Sequence, residues 1–201
     1  MRRFTTHIIV LVIVALIVIG IKSAPKIYRT LTPAYQNQEV SHPNLPSGNS
    51  PNRVPAMQVY FSPQGGCTEA CVRTIDGASS TILVQAYSFT SKPIAQALVR
   101  AFQRGVKIAI ILDKSQRTEK YTEMGTVASA GIPTYIDAKH AIAHNKVMVI
   151  DAKTVITGSF NFTTSAEMHN AENMLIIQSQ DLAVIYMQNW DNHKQHSERI
   201  N

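Results

Sequence analysis

Short and long apolar segments alternate from about residue 57 to residue 196, and this alternation constrains the fold more than any other feature. The short runs are rich in Val, Ile and Leu, and Val106–Leu112 is nearly continuous in apolar residues, as in the middle strand of a sheet. Pro93–Arg104 instead carries apolar residues at helical spacing, and Gly105 follows as a helix-ending residue. Strands alternating with helices predict an α/β domain with a mixed β-sheet and helices on both faces.

The predicted elements follow one another in chain order. Strands are predicted at Met57–Ser62, Thr81–Ser88, Val106–Leu112, Pro133–Ile136, His144–Ile150, Thr154–Thr157 and from Glu172 onward. Helices are predicted at Thr68–Gly77, Pro93–Arg104, Thr118–Ala130 and from Asp181 to about His196. We therefore expect residues 56–201 to form one domain, which is long enough to bury a core of its own.

The most specific pattern is the run from His144 to Asp151, which reads H-x-K-x4-D, followed by Gly158-Ser159-Phe160-Asn161. Strand side chains alternate, so His144 and Lys146 are expected to share one face of a buried strand. Asp151 is an odd number of residues from Lys146 and is expected on the other face. We count it in the catalytic group, in an orienting or ion-pairing role at the strand end. Gly158 lets the backbone approach an anion closely.

These residue types suit attack on a phosphodiester. A neutral imidazole is not repelled by the anionic substrate, so His144 can attack phosphorus and form a phosphohistidine. Lys146 would neutralise the non-bridging oxygens in the transition state, and Ser159 and Asn161 would donate hydrogen bonds to them. The leaving alkoxide needs a proton, for which a second, protonated histidine is the natural donor.

With this pattern the chain resembles the phospholipase D superfamily, and within it the small bacterial EDTA-resistant endonucleases that carry a single motif. The likeness extends from Gln58–Pro63 through Ala86–Thr90 to Trp190 and leaves out the first fifty or so residues. The resemblance implies a phospholipase D-like half with one catalytic motif per chain. It also implies that Glu172 holds the imidazole of His144 through its second nitrogen.

The chain has one H-x-K motif, so the second histidine has to come from elsewhere. Relatives with two motifs build one site from both, and the resemblance implies a homodimer that uses His144 of each subunit around a two-fold axis. The alternative is a monomer in which His140 or His169 is the general acid. Neither of these two histidines has a lysine partner at the H-x-K spacing.

No cofactor and no metal are predicted for the catalytic site. Histidine and cysteine pairs occur three or four residues apart, but none has the four-ligand spacing of a structural zinc site: His140 and His144, Cys67 and Cys71, His193 and His196. There is no carboxylate cluster typical of a two-metal nuclease, and Lys146 would oppose a cation beside His144. Cys67 and Cys71 could form a local disulfide or remain as two reduced thiols on a helix.

The first 55 residues have a different composition. The charged start Met1–Phe4 precedes the apolar run Ile8–Ile21, which predicts that residues 1–24 are a cleaved signal peptide or an uncleaved membrane anchor. No good small-x-small cleavage site precedes Pro25, which slightly favours the anchor. Either alternative places the domain outside the cytoplasm, in the periplasm or anchored to the inner membrane. Residues 25–55 are rich in Pro, Asn and Ser and predict an extended linker.

The formal charge of +6 and the pI near 9.4 favour an anionic partner, either nucleic acid or an anionic membrane. Three functions are compatible with these features. The leading one is a metal-independent endonuclease acting on DNA, with RNA also open as a substrate. The second is a phospholipase D-type lipid phosphodiesterase, and the third is a tethered nucleic-acid-binding protein without activity. The intact set of site residues argues against the third.

Overall fold

The computed structural model describes residues 56–200, so the predictions for residues 1–24 and 25–55 lie outside the described part. The strands are β1 (Ala56–Phe61), β2 (Thr81–Ala86), β3 (Lys107–Asp113), β4 (Thr134–Asp137), β5 (Lys146–Ile150), β6 (Thr154–Gly158), β7 (Asn173–Gln178) and β8 (Glu198–Arg199). The helices are α1 (Cys67–Asp76), α2 (Lys92–Gln103), α3 (Met124–Ser129), α4 (Thr164–Met168) and α5 (Gln180–Lys194). No helix among these is long and apolar enough to cross a membrane.

The strands form one mixed sheet of eight strands in the order β1-β7-β6-β5-β2-β3-β4-β8. β2, β3 and β4 run parallel to one another, whereas β5 is antiparallel to β2 and begins an antiparallel series through β6 and β7 to β1. As a result β2, β3, β4 and β6 end at the same edge at which β5 and β7 begin. We call this the active edge, because most of the predicted site residues follow or precede these strand ends.

Helices cover both faces of the sheet, as predicted. On one face α1 and α2 pack over residues such as Ile82 and Val84 of β2 and Met148 of β5. On the other face α5 packs on Val147 and Val149 of β5. Adjacent residues of β5 therefore enter two different apolar clusters, which explains why this strand is apolar at every position except Lys146. The α/β class and the mixed sheet are confirmed.

The structure differs from the prediction at one helix and at one additional strand. Of the helix predicted at Thr118–Ala130, only Met124–Ser129 is helical, as α3, and a separate 3₁₀ helix at Lys114–Arg117 precedes the predicted start. The backbone N–H of Glu123 donates to the carbonyl of Phe89 at 2.9 Å, which ties the intervening residues to the loop after β2 instead of a continuous helix. The strand β8 was not predicted, since two exposed residues carry no periodicity.

Candidate active site

Five of the predicted site residues lie at the active edge. Lys146 is the first residue of β5, and His144 lies two residues before it, in the preceding loop. The prediction that His144 belongs to the strand is therefore wrong by two residues. The other three lie at the ends of neighbouring strands: Ser159 and Asn161 after β6, and Glu172 immediately before β7.

The side chains of His144 and Lys146 are in direct contact. The Lys146 ammonium donates to the His144 carbonyl oxygen at 2.7 Å and lies 3.2 Å from the His144 Nδ1 atom. The ring of Tyr87, which follows β2, lies 4.6 Å from the His144 ring and 5.3 Å from the Lys146 Nζ atom, measured to the Tyr87 centroid. The His144 residue is exposed, so its imidazole is accessible to a substrate while its neighbours restrict its position.

Lys146 is largely buried, with 7% of its surface exposed. Burial lowers the pKa of the Lys146 ammonium, because the charged form loses solvation, and the negative charge of Glu172 partly offsets this effect. An ammonium held in a poorly solvated position interacts more strongly with an approaching anion than an exposed one does. The Lys146 side chain is thus suited to stabilise negative charge on a phosphoryl group.

The expected contact between Glu172 and His144 is not made in this structure. The Glu172 carboxylate accepts a hydrogen bond from the Asn170 Nδ2 atom at 3.1 Å, and the Glu172 backbone N–H donates to the Ser62 hydroxyl at 3.2 Å. Within residues 56–200 no hydrogen bond joins Glu172 to the imidazole, whose Nδ1 atom faces Lys146 instead. Glu172 instead affects the site electrostatically, because its negative charge partly offsets the burial that lowers the pKa of the Lys146 ammonium.

Ser159 is fixed by the first residue of β7. Its hydroxyl oxygen accepts hydrogen bonds from the Asn173 backbone N–H at 3.0 Å and from the Asn173 Nδ2 atom at 3.3 Å. The hydroxyl proton remains to be donated, since a serine hydroxyl has one proton and two acceptor positions. Gly158 permits this arrangement: its φ is 147°, and a Cβ there would lie 2.3 Å from the Asn173 carbonyl oxygen.

Asn161 supplies a second polar group at this edge. Its side-chain oxygen is buried and has no hydrogen-bond partner among the residues that the structure describes. Buried polar atoms are nearly always paired with protein, water or ligand, so this acceptor is suited to receive a hydrogen bond from water or a bound molecule. The main chain of Asn161 is held in a tight turn in which its carbonyl accepts from the Thr163 N–H at 2.7 Å.

Asp151 lies at the opposite edge of the sheet, at the end of β5, which spans about 16 Å. Its carboxylate accepts hydrogen bonds from the backbone N–H groups of Ser79, Ser80 and Thr81 and from both serine hydroxyls, over 2.7–3.2 Å. Burial alone would raise the Asp151 pKa, but these amides hold it well below its usual range. The assignment of Asp151 to the catalytic group is corrected: it orders the start of β2, and the strand-end role is the one the geometry fits.

No second histidine ring contacts His144 among residues 56–200. The Nδ1 atom of His140 lies 2.9 Å from the Asp137 carboxylate, and its ring packs against the rings of His193 and His196. His169 is exposed at the end of α4. In this arrangement His140 is therefore not placed to act as the general acid for His144 of the same subunit.

Metal-ligating side chains converge elsewhere. Within the described residues one group has ligand atoms close enough to hold an ion, and it contains none of the predicted catalytic residues: Asp137, His140, His193 and His196. The sequence contains a signal for this group, because Asp137 and His140, like His193 and His196, are three residues apart. No local pattern indicates that these two pairs lie together in the fold. Tyr87 was also missed as a neighbour of His144, because a tyrosine after a strand has no specific spacing.

Cys67 and Cys71 are free thiols in the structure, and both are buried. Burial raises the pKa of Cys67 to about 11 and that of Cys71 to about 12. Thiols of such high pKa are weak nucleophiles at neutral pH, so neither residue is a candidate for catalysis. Of the two alternatives predicted for this pair, the structure shows the reduced one.

Residues 71–194 match the family model described as "Cardiolipin synthase, PLD-like domain". The chain is 47% identical to the protein named phospholipase D of Rickettsia conorii over 138 residues, which cover 69% of each protein. It is 27% identical over 145 residues to the mitochondrial cardiolipin hydrolase of Canis lupus familiaris, covering 72% of this chain and 57% of that relative. Among solved structures it is similar to Nuc from Salmonella typhimurium, described as a phospholipase D family member, with 37% identity and a TM-score of 0.71. That match covers 73% of this chain and 99% of Nuc.

The sheet topology and the contact between His144 and Lys146 point to the same family as these similarities do. The chain belongs to the phospholipase D superfamily of PLD-like domains. It is accordingly a phosphodiesterase of that superfamily, and its motif residues lie where the strand ends of the PLD-like sheet meet.

Proposed function

We propose that this chain is a metal-independent endonuclease that hydrolyses DNA, and RNA as a second nucleic acid, through a phosphohistidine on His144. The observation that supports this most strongly is the contact between the exposed imidazole of His144 and the buried ammonium of Lys146. This pair combines a nucleophile with a fixed positive charge at the point where a phosphodiester would be attacked.

The reaction has two steps. In the first, a ring nitrogen of His144 attacks phosphorus, the bond from phosphorus to the leaving oxygen breaks, and a protonated histidine gives that oxygen its proton. In the second, the same histidine takes a proton from water, the water oxygen attacks phosphorus, and the bond to His144 breaks. Lys146, the Ser159 hydroxyl and the Asn161 amide stabilise the charge on the phosphoryl oxygens in both steps.

The second histidine is proposed to be His144 of another copy of the chain. No other histidine ring contacts His144 within the described residues, and His140 is held by Asp137. A closed dimer with a two-fold axis through the site would place two equivalent His144 residues on opposite sides of one phosphorus atom.

Nucleic acid is favoured as the substrate by charges near the active edge. The first 55 residues hold six of the 19 Lys and Arg residues but one of the 13 Asp and Glu residues, which leaves a formal charge of about +1 on residues 56–201. The total charge of the domain is therefore not decisive. Three exposed lysines nevertheless stand in the segments that follow β3 and β4 at the active edge, of which the first also donates to the His140 carbonyl: Lys114, Lys120 and Lys139. Lysines near the site are suited to bind the phosphates of a polyanion.

A lipid phosphodiesterase is the second candidate, and two observations favour it. Relatives of this chain are named phospholipase D and mitochondrial cardiolipin hydrolase. In addition, Ile142, in the loop before β5, and Met168, the last residue of α4, are 58% and 42% exposed near the active edge, where an acyl region or a bilayer surface could contact them. Both candidates use the same attack on a phosphodiester.

We further propose that residues 1–24 export the domain, as a cleaved signal or as an anchor in the inner membrane, and that residues 25–55 link it to that segment. The support is the charged start followed by the apolar run Ile8–Ile21. The mass of the protein recovered from cells separates cleavage from anchoring, and a mature protein retained in the cytoplasm would contradict export.

The substrate is tested with the full-length protein and its His144→Ala variant, incubated in EDTA with plasmid DNA, single-stranded DNA, RNA and labelled phospholipid vesicles. Cleavage of nucleic acid by the wild type alone is expected, together with acid-labile phosphate on the enzyme from a labelled substrate. Head-group release without nucleic-acid cleavage would support the lipid alternative. Loss of activity in EDTA with recovery by Mg²⁺ would contradict the metal-independent mechanism.

A further inference from the structure

Four side chains outside the catalytic group converge where β4 and α5 end. Asp137 is the last residue of β4, His140 follows three residues later, His193 lies near the end of α5, and His196 comes just after it. We call this group the Asp–His cluster. Each residue offers one ligand atom, and these atoms all lie within 4.8 Å of one another.

The cluster is centred on a single carboxylate oxygen. The Asp137 Oδ2 atom lies 2.7 Å from the His193 Nδ1 atom, 2.9 Å from the His140 Nδ1 atom and 3.3 Å from the His196 Nε2 atom. Asp137 is fully buried, whereas the side chains of His193 and His196 are 16% and 22% exposed. Three imidazoles from two distant segments thus surround one buried carboxylate.

Hydrogen bonding alone does not explain this arrangement well. A carboxylate oxygen has two lone-pair positions, and three ring nitrogens are directed at the same oxygen of Asp137. The other oxygen, Oδ1, already accepts the backbone N–H of Lys139 at 3.1 Å. Backbone bonds of this kind orient the carboxylates that bind metals. The three nitrogens and one oxygen are the ligand types that Zn²⁺ prefers.

The spacing also fits a tetrahedral ion. Zinc bonds to His nitrogen and carboxylate oxygen are about 2.0–2.2 Å long, which places neighbouring ligand atoms roughly 3.3–3.6 Å apart. To reach that geometry, the oxygen-to-nitrogen distances of 2.7, 2.9 and 3.3 Å need to open by less than about 1 Å, and the other ligand-atom pairs, which lie within 4.8 Å, need to close by up to about 1.5 Å. Side-chain rotation is sufficient for a change of this size, because three of the four ligands are partly exposed.

We propose that Asp137, His140, His193 and His196 bind one Zn²⁺ ion as a structural site. All four positions of a tetrahedral ion would be filled by protein, which leaves no open position for a substrate or an activated water. The ion would join the loop between β4 and β5 to the end of α5. Since His140 lies four residues before His144 in that loop, the ion would also restrict the segment that carries the catalytic histidine.

Direct binding measurements on untagged full-length protein test the proposal. After removal of metal with a chelator and dialysis, the protein is reloaded with Zn²⁺ or Co²⁺ and washed. We expect about one Zn²⁺ per chain by elemental analysis, visible Co²⁺ absorption typical of four-coordinate geometry, and a higher Tm with Zn²⁺ than without it. Binding of less than a tenth of an equivalent by the wild type would overturn the proposal.

Variants show which residues hold the ion. His193→Gln should weaken Zn²⁺ binding by at least about 100-fold, more than is typical of changes outside the ligand set. His140→Gln tests the same point at a side chain that is 43% exposed, where the fold tolerates substitution, and circular dichroism verifies folding. His169→Gln, an exposed histidine outside the cluster, should bind Zn²⁺ as the wild type does. Equal binding by His140→Gln and His169→Gln would place the ion elsewhere.

The outcome is independent of the proposed nuclease activity. The His144→Ala variant should bind Zn²⁺ with unchanged affinity, because His144 is not among the four ligands. A chain that binds Zn²⁺ through the cluster but cleaves only lipid would support the site and contradict the nuclease proposal. A chain that cleaves DNA and binds no Zn²⁺ would support the nuclease proposal and contradict the zinc site.

Discussion

The ammonium of Lys146 lies 3.2 Å from the Nδ1 atom of His144 and donates to the carbonyl oxygen of the same residue at 2.7 Å. The histidine and the lysine of the H-x-K motif thus form one unit, in which the buried first residue of β5 holds the loop residue two positions before it. This contact restricts the position of His144, the proposed nucleophile, and places a positive charge beside it.

The first prediction concerns Lys146→Met, which keeps the length of the side chain and removes its charge. We expect kcat to fall by roughly 10²–10³-fold, the loss typical of removing one group that stabilises transition-state charge. Stability should change by less than about 1 kcal/mol, because Lys146 is 7% exposed and burying its ammonium is costly. Kinetics and chemical denaturation measure the two effects, and an unchanged kcat would show that Lys146 is not part of the chemistry.

The second prediction separates Asp151 from catalysis. Asp151→Ala removes the acceptor for the N–H groups of Ser79, Ser80 and Thr81 and should lower the free energy of unfolding by about 2–4 kcal/mol. Activity per folded molecule should stay near the wild-type value. The control is Asp191→Ala on the exposed side of α5, which should change stability by less than about 0.5 kcal/mol. A large loss of kcat in the folded Asp151→Ala variant would restore Asp151 to the catalytic group.

The Asp151 contribution also has a defined pH dependence. The pKa of Asp151 is depressed in the folded state, so its stabilising effect is fully present above the unfolded pKa of about 3.9. It is lost as the pH falls below that value towards the folded pKa. The stability difference between wild type and Asp151→Ala should therefore be constant from about pH 5 to 7 and shrink at lower pH. A difference that grows on acidification would contradict the assigned hydrogen bonds.

The third prediction tests the shared site. Mixed dimers of wild-type and His144→Ala chains, purified through two different affinity tags, should have activity near background, because each phosphodiester needs both histidines. Wild-type dimers carrying the same two tags are the control. Half or full activity of the mixed species would mean that each subunit completes its own site.

The fourth prediction is that Gly158→Ala disrupts the site through the backbone. An added Cβ would lie 2.3 Å from the Asn173 carbonyl oxygen, at a φ of 147° that side chains rarely adopt. We expect a loss of about 2–4 kcal/mol in stability and a fall in kcat, as Ser159 moves away from Asn173. Gly125→Ala, where a Cβ meets nothing within 4 Å inside α3, should be neutral or stabilising by up to about 1 kcal/mol. Equal effects of the two substitutions would contradict the close approach at Gly158.

The fifth prediction concerns substrate binding. Lys120→Gln combined with Lys139→Gln should weaken DNA binding and make it less dependent on salt, by about one unit of the logarithmic slope for each lysine that contacts a phosphate. Lys107→Gln is the matched control, since Lys107 is exposed at the start of β3, on the opposite edge of the sheet. Binding by catalytically inactive His144→Ala protein at several salt concentrations measures the slope. Equal slopes for the double variant and the control would remove these lysines from the nucleic-acid surface.

Much of the fold was predictable because its elements are locally encoded. β3 and β5 are apolar runs of the length of a buried strand, and α2 has an apolar stripe and an ending glycine. The helix expected at Thr118–Ala130 forms only over Met124–Ser129, because the loop after β2 takes the backbone hydrogen bond of Glu123 just before it. Tertiary contacts of this kind override a weak local preference.

The sequence by itself determined the composition of the site. The spacing of His144, Lys146, Ser159 and Asn161 predicts the chemistry that we propose, because each pair lies within one short segment whose geometry is set by the strand next to it. Only the tertiary structure decided which distant segments meet. It places Asp151 at the opposite edge, where five donors hold its carboxylate and give it a structural role, and it brings Asp137 and His193 together across 56 positions of sequence. Local periodicity carries no information about such pairings, since they depend on the order in which strands and helices pack.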